Sequence, residues 1–300
     1  MRASSIVPLG VVFGAAISVG CSATVSAAPE GSDAEVSQAA TAIVEVKRIA
    51  GPSESQLPHA VARFVQMRSG AVDHQALQLV TAAVELPAMG ACVARGQAWS
   101  ALEASASAPA RPLNLADVGA ISLEAGGSRT TFATRKQPDV TDLVTGLFYH
   151  TRWSDAASLP AQGRYVLHVA GASTIDPFDV PATAPGELTE VRVAGQDTPI
   201  VTPATTVMIT PETPVDITWE AGSSSDVVFI DVDSRDPGVP GVRCLFPDGG
   251  QANLAAWTFS GIETGTVSLH RLHREEFRAR GVDSGEIRFD FARVISFARR

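Results

Sequence analysis

The chain has 300 residues, of which 45% are hydrophobic and 18% charged, and a formal net charge of −9. This balance is too apolar and too weakly charged for a disordered chain, and it leaves material for two hydrophobic cores. The acidity argues against nucleic acid as a partner and against electrostatic docking to anionic lipid. Two lysines, Lys47 and Lys136, stand beside 21 arginines, a compositional bias that designates no site.

In chain order the first element is the segment RASSIVPLGVVFGAAISVGC at residues 2–21. It has one positive charge, an apolar run of about 14 residues from Ile6 to Val19 that is short for a bilayer span, and Ser-Val-Gly immediately before Cys21. The layout resembles the signal of bacterial lipoproteins, with Val19 and Gly20 fitting the small-residue pattern and Ser18 standing where that class usually has leucine. The resemblance implies that residues 1–20 are removed, that Cys21 is diacylated on sulfur, and that the new N-terminus is acylated as well. Two or three acyl chains make a membrane attachment effectively permanent, whereas one is marginal. Ser22 follows the cysteine in place of an acidic residue, which resembles sorting to the outer membrane. The alternative is an ordinary signal cut after Ala27 or Ala28, which leaves a soluble secreted protein. Losing Arg2 with the signal moves the net charge from −9 to −10.

Residues 21–41 are rich in alanine and serine and read as a flexible tether with a reach of about 25 Å. Residues 42–190 then read as a β-rich domain. Its expected strands are Ile43–Lys47, Ala60–Met67, Ile121–Leu123, Leu147–Tyr149 and Arg164–Val169. His74–Glu85 is ambiguous, because Leu77, Val80 and Val84 also satisfy helical spacing, and is read as strand. Prolines at 181, 185, 199, 203, 211 and 214 place a domain boundary within 183–203. Residues 200–300 read as a second β domain, with strands Val215–Glu220, Val227–Val232, Val242–Phe246, Thr266–Leu272 and Glu286–Phe291. Gly126-Gly127 and Gly249-Gly250 read as hairpin turns.

The alternation Val215-Asp216-Ile217-Thr218-Trp219, followed by further short strands, resembles immunoglobulin-like and fibronectin-type modules of exported proteins over residues 203–300. Trp219 precedes the single Cys244 of that region, so the Cys…Trp…Cys spacing of true immunoglobulin domains is missing and the resemblance implies architecture alone. The expected fold is therefore all-β: two antiparallel β-sandwich, immunoglobulin-like domains after a signal peptide and a tether. With Cys21 consumed by lipid, Cys92 and Cys244 are left. Either they form a disulfide closing about 150 residues, worth about 4–5 kcal/mol in the chain-entropy model, or they are separate buried thiols, one per domain.

Three groups of residues have types suited to chemistry. Asp231, Asp233 and Asp236 offer carboxylate oxygens that suit calcium, although Asp231 and Asp233 on one strand face are explained by a solvated outer face. His270 and His273, with Glu275 and Glu276, offer zinc ligands, but three residues apart on a strand the imidazoles project from opposite faces. The run HREEFRAR behind them reads as a charged connection before the final strand, with a helix as the alternative. For nucleophilic catalysis there is no Gly-x-Ser-x-Gly elbow and no His-Glu-x-x-His pair. His168 reads as an outward strand residue, and His59, His74 and His150 have no partner nearby in sequence. The expectation is an exported, lipid-anchored envelope protein that binds or assembles without catalysis, without metal or other cofactor. Its partners are a membrane through Cys21 and an envelope protein or glycan. The alternative is an extracytoplasmic hydrolase or metal-dependent carbohydrate-active protein, which requires His, Asp and Glu side chains to converge in one concave pocket.

Overall fold

Short alternating apolar segments punctuated by glycine, proline and serine fold as strands throughout, and the computed structural model is all-β. It describes residues 40–50, 57–66, 86–95, 113–137, 144–172, 174–199, 206–210 and 212–300. In chain order the first strands are β1 (Ala40–Ala50), β2 (His59–Gln66), β3 (Cys92–Ala94), β4 (Leu113–Leu115), β5 (Ile121–Ala125), β6 (Ser128–Thr131) and β7 (Ala133–Gln137). They continue as β8 (Val144–Arg152), β9 (Arg164–Val169), β10 (Phe178–Thr183), β11 (Arg192–Val193), β12 (Gln196–Asp197) and β13 (Thr206–Ile209). The last are β14 (Val215–Thr218), β15 (Val227–Ser234), β16 (Val242–Pro247), β17 (Gln251–Leu254), β18 (Thr264–Ala279) and β19 (Val282–Arg299). The signal, Cys21, the tether to residue 39 and the ambiguous segment 74–85 lie outside the described residues.

Among the described residues, one sheet of eleven strands has the order β3-β16-β15-β18-β19-β1-β2-β4-β8-β7, with β13 added on β19. Two four-stranded sheets, β10-β9-β5-β6 and β12-β11-β14-β17, complete the fold. The long sheet is mixed, which corrects the antiparallel expectation: β1 and β13 both run parallel to β19, and β4 runs parallel to β8. It also draws strands from both sides of the boundary expected within 183–203, and Ser37–Arg300 is one compact unit.

The β18–β19 hairpin organises this unit. The two strands are 16 and 18 residues long and turn through Arg280-Gly281, with Gly281 at φ 85° as a tight reversal requires. The run HREEFRAR is therefore neither a loose connection nor a helix. It continues β18, its charges lying on a half-exposed stretch where burial alternates residue by residue. Odd-numbered residues of both strands point to one face. Towards the turn, Phe277, Ile287, Phe289 and Phe291 pack with Phe64, Leu167 and Tyr165, and the Phe289 and Tyr165 rings meet edge-on at 5.0 Å. Towards the open end, Val267, Leu269, Ile295 and Phe297 pack with Ile217, Trp219, Val228 and Phe259. Each small sheet thus covers one end of the same face, and two cores share one hairpin.

Cys92 on β3 faces Cys244 on β16 in the strand register, and the two form a disulfide with Cα atoms 4.0 Å apart. Of the two readings open from the sequence, the bridge is the one realised. It fixes a three-residue edge strand to the sheet, helped by the amide of Leu245 donating to Ala91 O at 3.1 Å and that of Arg95 to Gly241 O at 2.7 Å. Replacing both cysteines by alanine is expected to lower stability by about 2–5 kcal/mol in denaturant titration. Peptide mapping of unreduced protein should recover the two cysteine peptides linked, and recovering them separately refutes the bridge.

Candidate ligand cleft

Between the two cores the inward face of the hairpin changes character. Where apolar residues would continue the pattern, β18 carries Arg271 and His273, and β19 carries Arg293. Arg271 is 2% exposed. Its Nε meets Asp248 Oδ2 at 2.6 Å, Nη2 donates to Glu220 O at 2.6 Å and to Asp248 Oδ1 at 3.1 Å, and Nη1 donates to Glu187 O at 2.7 Å and Gly186 O at 3.2 Å. Both terminal nitrogens thus have acceptors, while Nε is held against Asp248 as an ion pair. Arg293 similarly donates to Leu188 O at 3.2 Å. The segment 184–191, expected as an inter-domain connection, is thus fastened across the middle of the hairpin from beneath.

Asp248 reaches Arg271 through the Asp248-Gly249-Gly250 turn. That turn, expected as a hairpin, instead carries the chain from β16 in the long sheet to β17 in a small one, since β17 pairs with β14. The indole Nε1 of Trp219 donates to Asp248 Oδ1 at 2.6 Å. A Cβ at Gly222 would collide with both Asp248 and Arg271, so the backbone there lies directly on the ion pair.

Above this floor is an open cleft of about 950 Å³ whose lining includes Glu187, Glu220, Asp226, Arg271, His273 and Glu275. The His273 ring lies between two carboxylates, Nδ1 at 2.6 Å from Asp226 and Nε2 at 3.3 Å from Glu275. The same Glu275 oxygen accepts the amide of Thr183 at 2.8 Å. On one wall Arg48 pairs with Glu187 at 2.5 Å, donates to Leu159 O at 2.8 Å and lies 4.3 Å over the Phe291 ring. The cleft also takes in Ser223, whose hydroxyl pairs with that of Ser225 at 2.9 Å. This is a polar, hydrogen-bonding concavity held in place by backbone carbonyls, suited to gripping a polar ligand.

His270 and His273 do project from opposite faces. On the reverse face His270 Nδ1 is 2.7 Å from Asp290 Oδ1, Lys47 Nζ is 2.9 Å from Asp290 Oδ2, and the imidazole stacks on Phe229 at 4.2 Å. Burial alone would raise the Asp290 carboxyl, but His270 and Lys47 outweigh it and hold it well below the ordinary carboxylate range. Burial alone would likewise lower Lys47, and Asp290 lifts it instead.

The aspartates weighed for calcium are placed differently from the expectation. Asp231 is not on a solvated face: it is 4% exposed and is held by Arg95 at 3.0 Å and by Arg243 at 2.6 and 2.7 Å. Asp233 pairs with Arg95, and burial, against the pull of Arg95, raises its carboxyl. Asp236 sits in the following turn and accepts the amide of Gly238 at 2.9 Å. Among the described residues no three His, Cys, Asp or Glu side chains are grouped to hold a metal ion. Glu276, the remaining residue weighed for zinc, pairs in register with Glu286 away from the cleft.

His168 faces outward, 2.7 Å from Asp179 and 2.8 Å from Arg129. His59 Nδ1 is 3.2 Å from Leu57 O, His150 lies on the reverse face of the long sheet, and His74 is outside the described residues. Sequence reasoning missed Asp226, Asp248, Arg271 and Arg48, none of which belongs to a local motif.

Removing Arg271 leaves Asp248 buried and unpaired, so Arg271→Ala should cost about 3–5 kcal/mol. The Arg271→Ala/Asp248→Ala double variant should cost clearly less than the sum of the singles in denaturant titration. Additive losses would mean that the pair is not coupled. Because the Asp290 carboxyl is held low, its contribution to stability is complete above the unfolded-state value of about 3.9 and is lost as pH falls towards the native value. Asp290→Asn should therefore flatten the loss of stability below about pH 4, and an unchanged acid limb in urea titrations would refute the assignment.

Compared with protein-family models and with curated proteins, the chain matches none.

Proposed function

We propose that this chain is an exported, lipid-anchored component of a bacterial cell envelope that works by binding, with the polar cleft between its two cores as the binding site. The observation that carries this reading is the Cys92–Cys244 disulfide. A structural disulfide belongs to an oxidising compartment, and this one is independent of the N-terminal segment that resembles a lipoprotein signal. The two features agree on an address outside the cytoplasm. Cys21 is the lipidated residue in this reading, and Ser22 after it favours the outer membrane.

The cleft supports binding because its side chains are held by main-chain carbonyls and by one another, an arrangement that recognises a polar surface without paying to reorganise. Its mixture of carboxylates, guanidinium and hydroxyl groups suits a glycan or a polar protein segment. The immunoglobulin-like reading of residues 203–300 belongs to the same proposal, supported by Ile217 and Trp219 packing against Val228 and Ile230 of β15.

A second reading, an extracytoplasmic hydrolase, is favoured by one observation: His273, Asp226 and Glu275 converge in the cleft beside Ser223. In that reading His273 is the proton-transferring group and Asp226 orients it. The readings separate experimentally. Cross-linking in intact producing cells followed by capture of the tagged chain should yield one stoichiometric glycan or protein partner whose recovery falls with Glu220→Ala. Turnover of a glycoside or ester substrate lost in His273→Ala establishes the hydrolase instead. For the anchor, Cys21→Ala should move the protein from the detergent phase to the aqueous phase, and a variant that partitions like the parent overturns lipidation at Cys21.

A further inference from the structure

The face of the long sheet turned away from both cores has a basic end. Register places Glu45, Val61, His150 and Ala133 in one row across β1, β2, β8 and β7. On one side Phe148 stands opposite Arg135, and on the other Lys47, His59 and Arg152 form a row. A groove of about 590 Å³ opens here, lined by Val61, Ala133, Arg135, Phe148, His150 and Arg152 among others. Arg63, two residues along β2 from Val61, places its guanidinium carbon 5.6 Å from the centre of the Phe148 ring. Its Nε and Nη1 atoms are buried and, among the described residues, have no hydrogen-bond partner.

Among the described residues, Arg63, Arg135 and Arg152 form no ion pair. Lys47 is occupied by Asp290, and Glu45 is the carboxylate in these rows. Burial pushes the Arg63 guanidinium below its ordinary value, Glu45 opposes that from a distance and Arg288 adds repulsion. On a chain whose net charge is −9, two guanidinium groups and an imidazole line this groove beside Val61 and Phe148, and Arg63 flanks it over the Phe148 ring. A desolvated cation without a partner is unfavourable, and guanidinium forks match tetrahedral oxyanions. Phe148 and Arg152 are four residues, about 13 Å, apart along the strand, with Arg135 opposite Phe148 and His150 between them.

We propose that this groove binds a small phosphate-bearing ligand, its phosphate held by Arg135, His150 and Arg152 and its apolar portion resting on Phe148 and Val61. Phosphate is favoured over a single carboxylate because two guanidinium groups and an imidazole line one groove and a phosphate monoester is close to a dianion at neutral pH. A long polyanion is disfavoured by the acidity of the rest of the chain.

The test uses the detergent-solubilised full chain, with inorganic phosphate and phenyl phosphate as probes in isothermal titration and thermal melting, against chloride at matched ionic strength. Arg135 and Arg152 are exposed, so Arg135→Ala/Arg152→Ala should fold as the parent does. The expected result is a phosphate-dependent rise in melting temperature, an affinity at least about tenfold lower in the double variant, and tighter binding of phenyl phosphate than of phosphate. Absence of a phosphate-specific rise, or a rise retained in the double variant, overturns the site. Equal affinity for the two probes overturns the role of Phe148 and Val61.

Discussion

Arg271 sits where apolar packing would be simplest, in the middle of the hairpin that both cores share, and the arrangement around it follows from the need to satisfy that one buried cation. Its guanidinium requires acceptors from several directions, and Asp248, Glu220, Glu187 and Gly186 provide them from segments otherwise remote in sequence. A fully buried ion pair is weak evidence for net stability, because desolvating two charges costs about as much as their attraction returns. What it supplies is position. The crossing segment 184–191, the β16–β17 turn and the end of β14 can be placed against the hairpin only where their oxygens meet Arg271, and the cleft is the space left above that junction.

The cores on either side obey simpler rules. Period-two alternation delivers odd-numbered residues of β18 and β19 to one face, and each small sheet closes over one end of it. Both cores are mainly aliphatic, with more aromatic rings on the side of the turn, where Phe289 and Phe291 meet Tyr165 and Phe64, than on the side of the open end. The reverse face combines ion pairs with two small apolar clusters, Val65 with Leu113 and Leu115, and Phe229 with Leu245 and Leu272. There Asp231 and Asp290 face Arg95, Arg243, His270 and Lys47, while among the described residues Arg63, Arg135 and Arg152 towards the opposite end form no ion pair.

Legibility in the sequence followed locality. Strands with clean alternation, such as Arg164–Val169 and Val215–Thr218, could be read directly because burial on one face is written at every second position. The same rule correctly sent His270 and His273 to opposite faces. It failed for HREEFRAR, where charges occupy both faces of a strand that is only half covered. The cleft was hidden for another reason: Asp226 is 47 residues from His273 and Asp248 is 23 residues from Arg271, and nothing in spacing or composition joins them. The Asp231 surroundings were misread because the arginines that bury it come from the residue after a three-residue edge strand and from the strand beside it. The basic groove was masked by averaging, since a net negative charge conceals a local positive one.

The parallel pairing of β1 with β19 has a consequence for how the molecule comes to exist. Ala40–Ala50 is completed as a central strand only by Val282–Arg293, so the first core cannot close until nearly all of the chain has been delivered. Pairings of this separation make contact order high and folding slow. A chain built this way leaves its first core open until its last strand is available, so it closes as a whole and not progressively from its first strand onward.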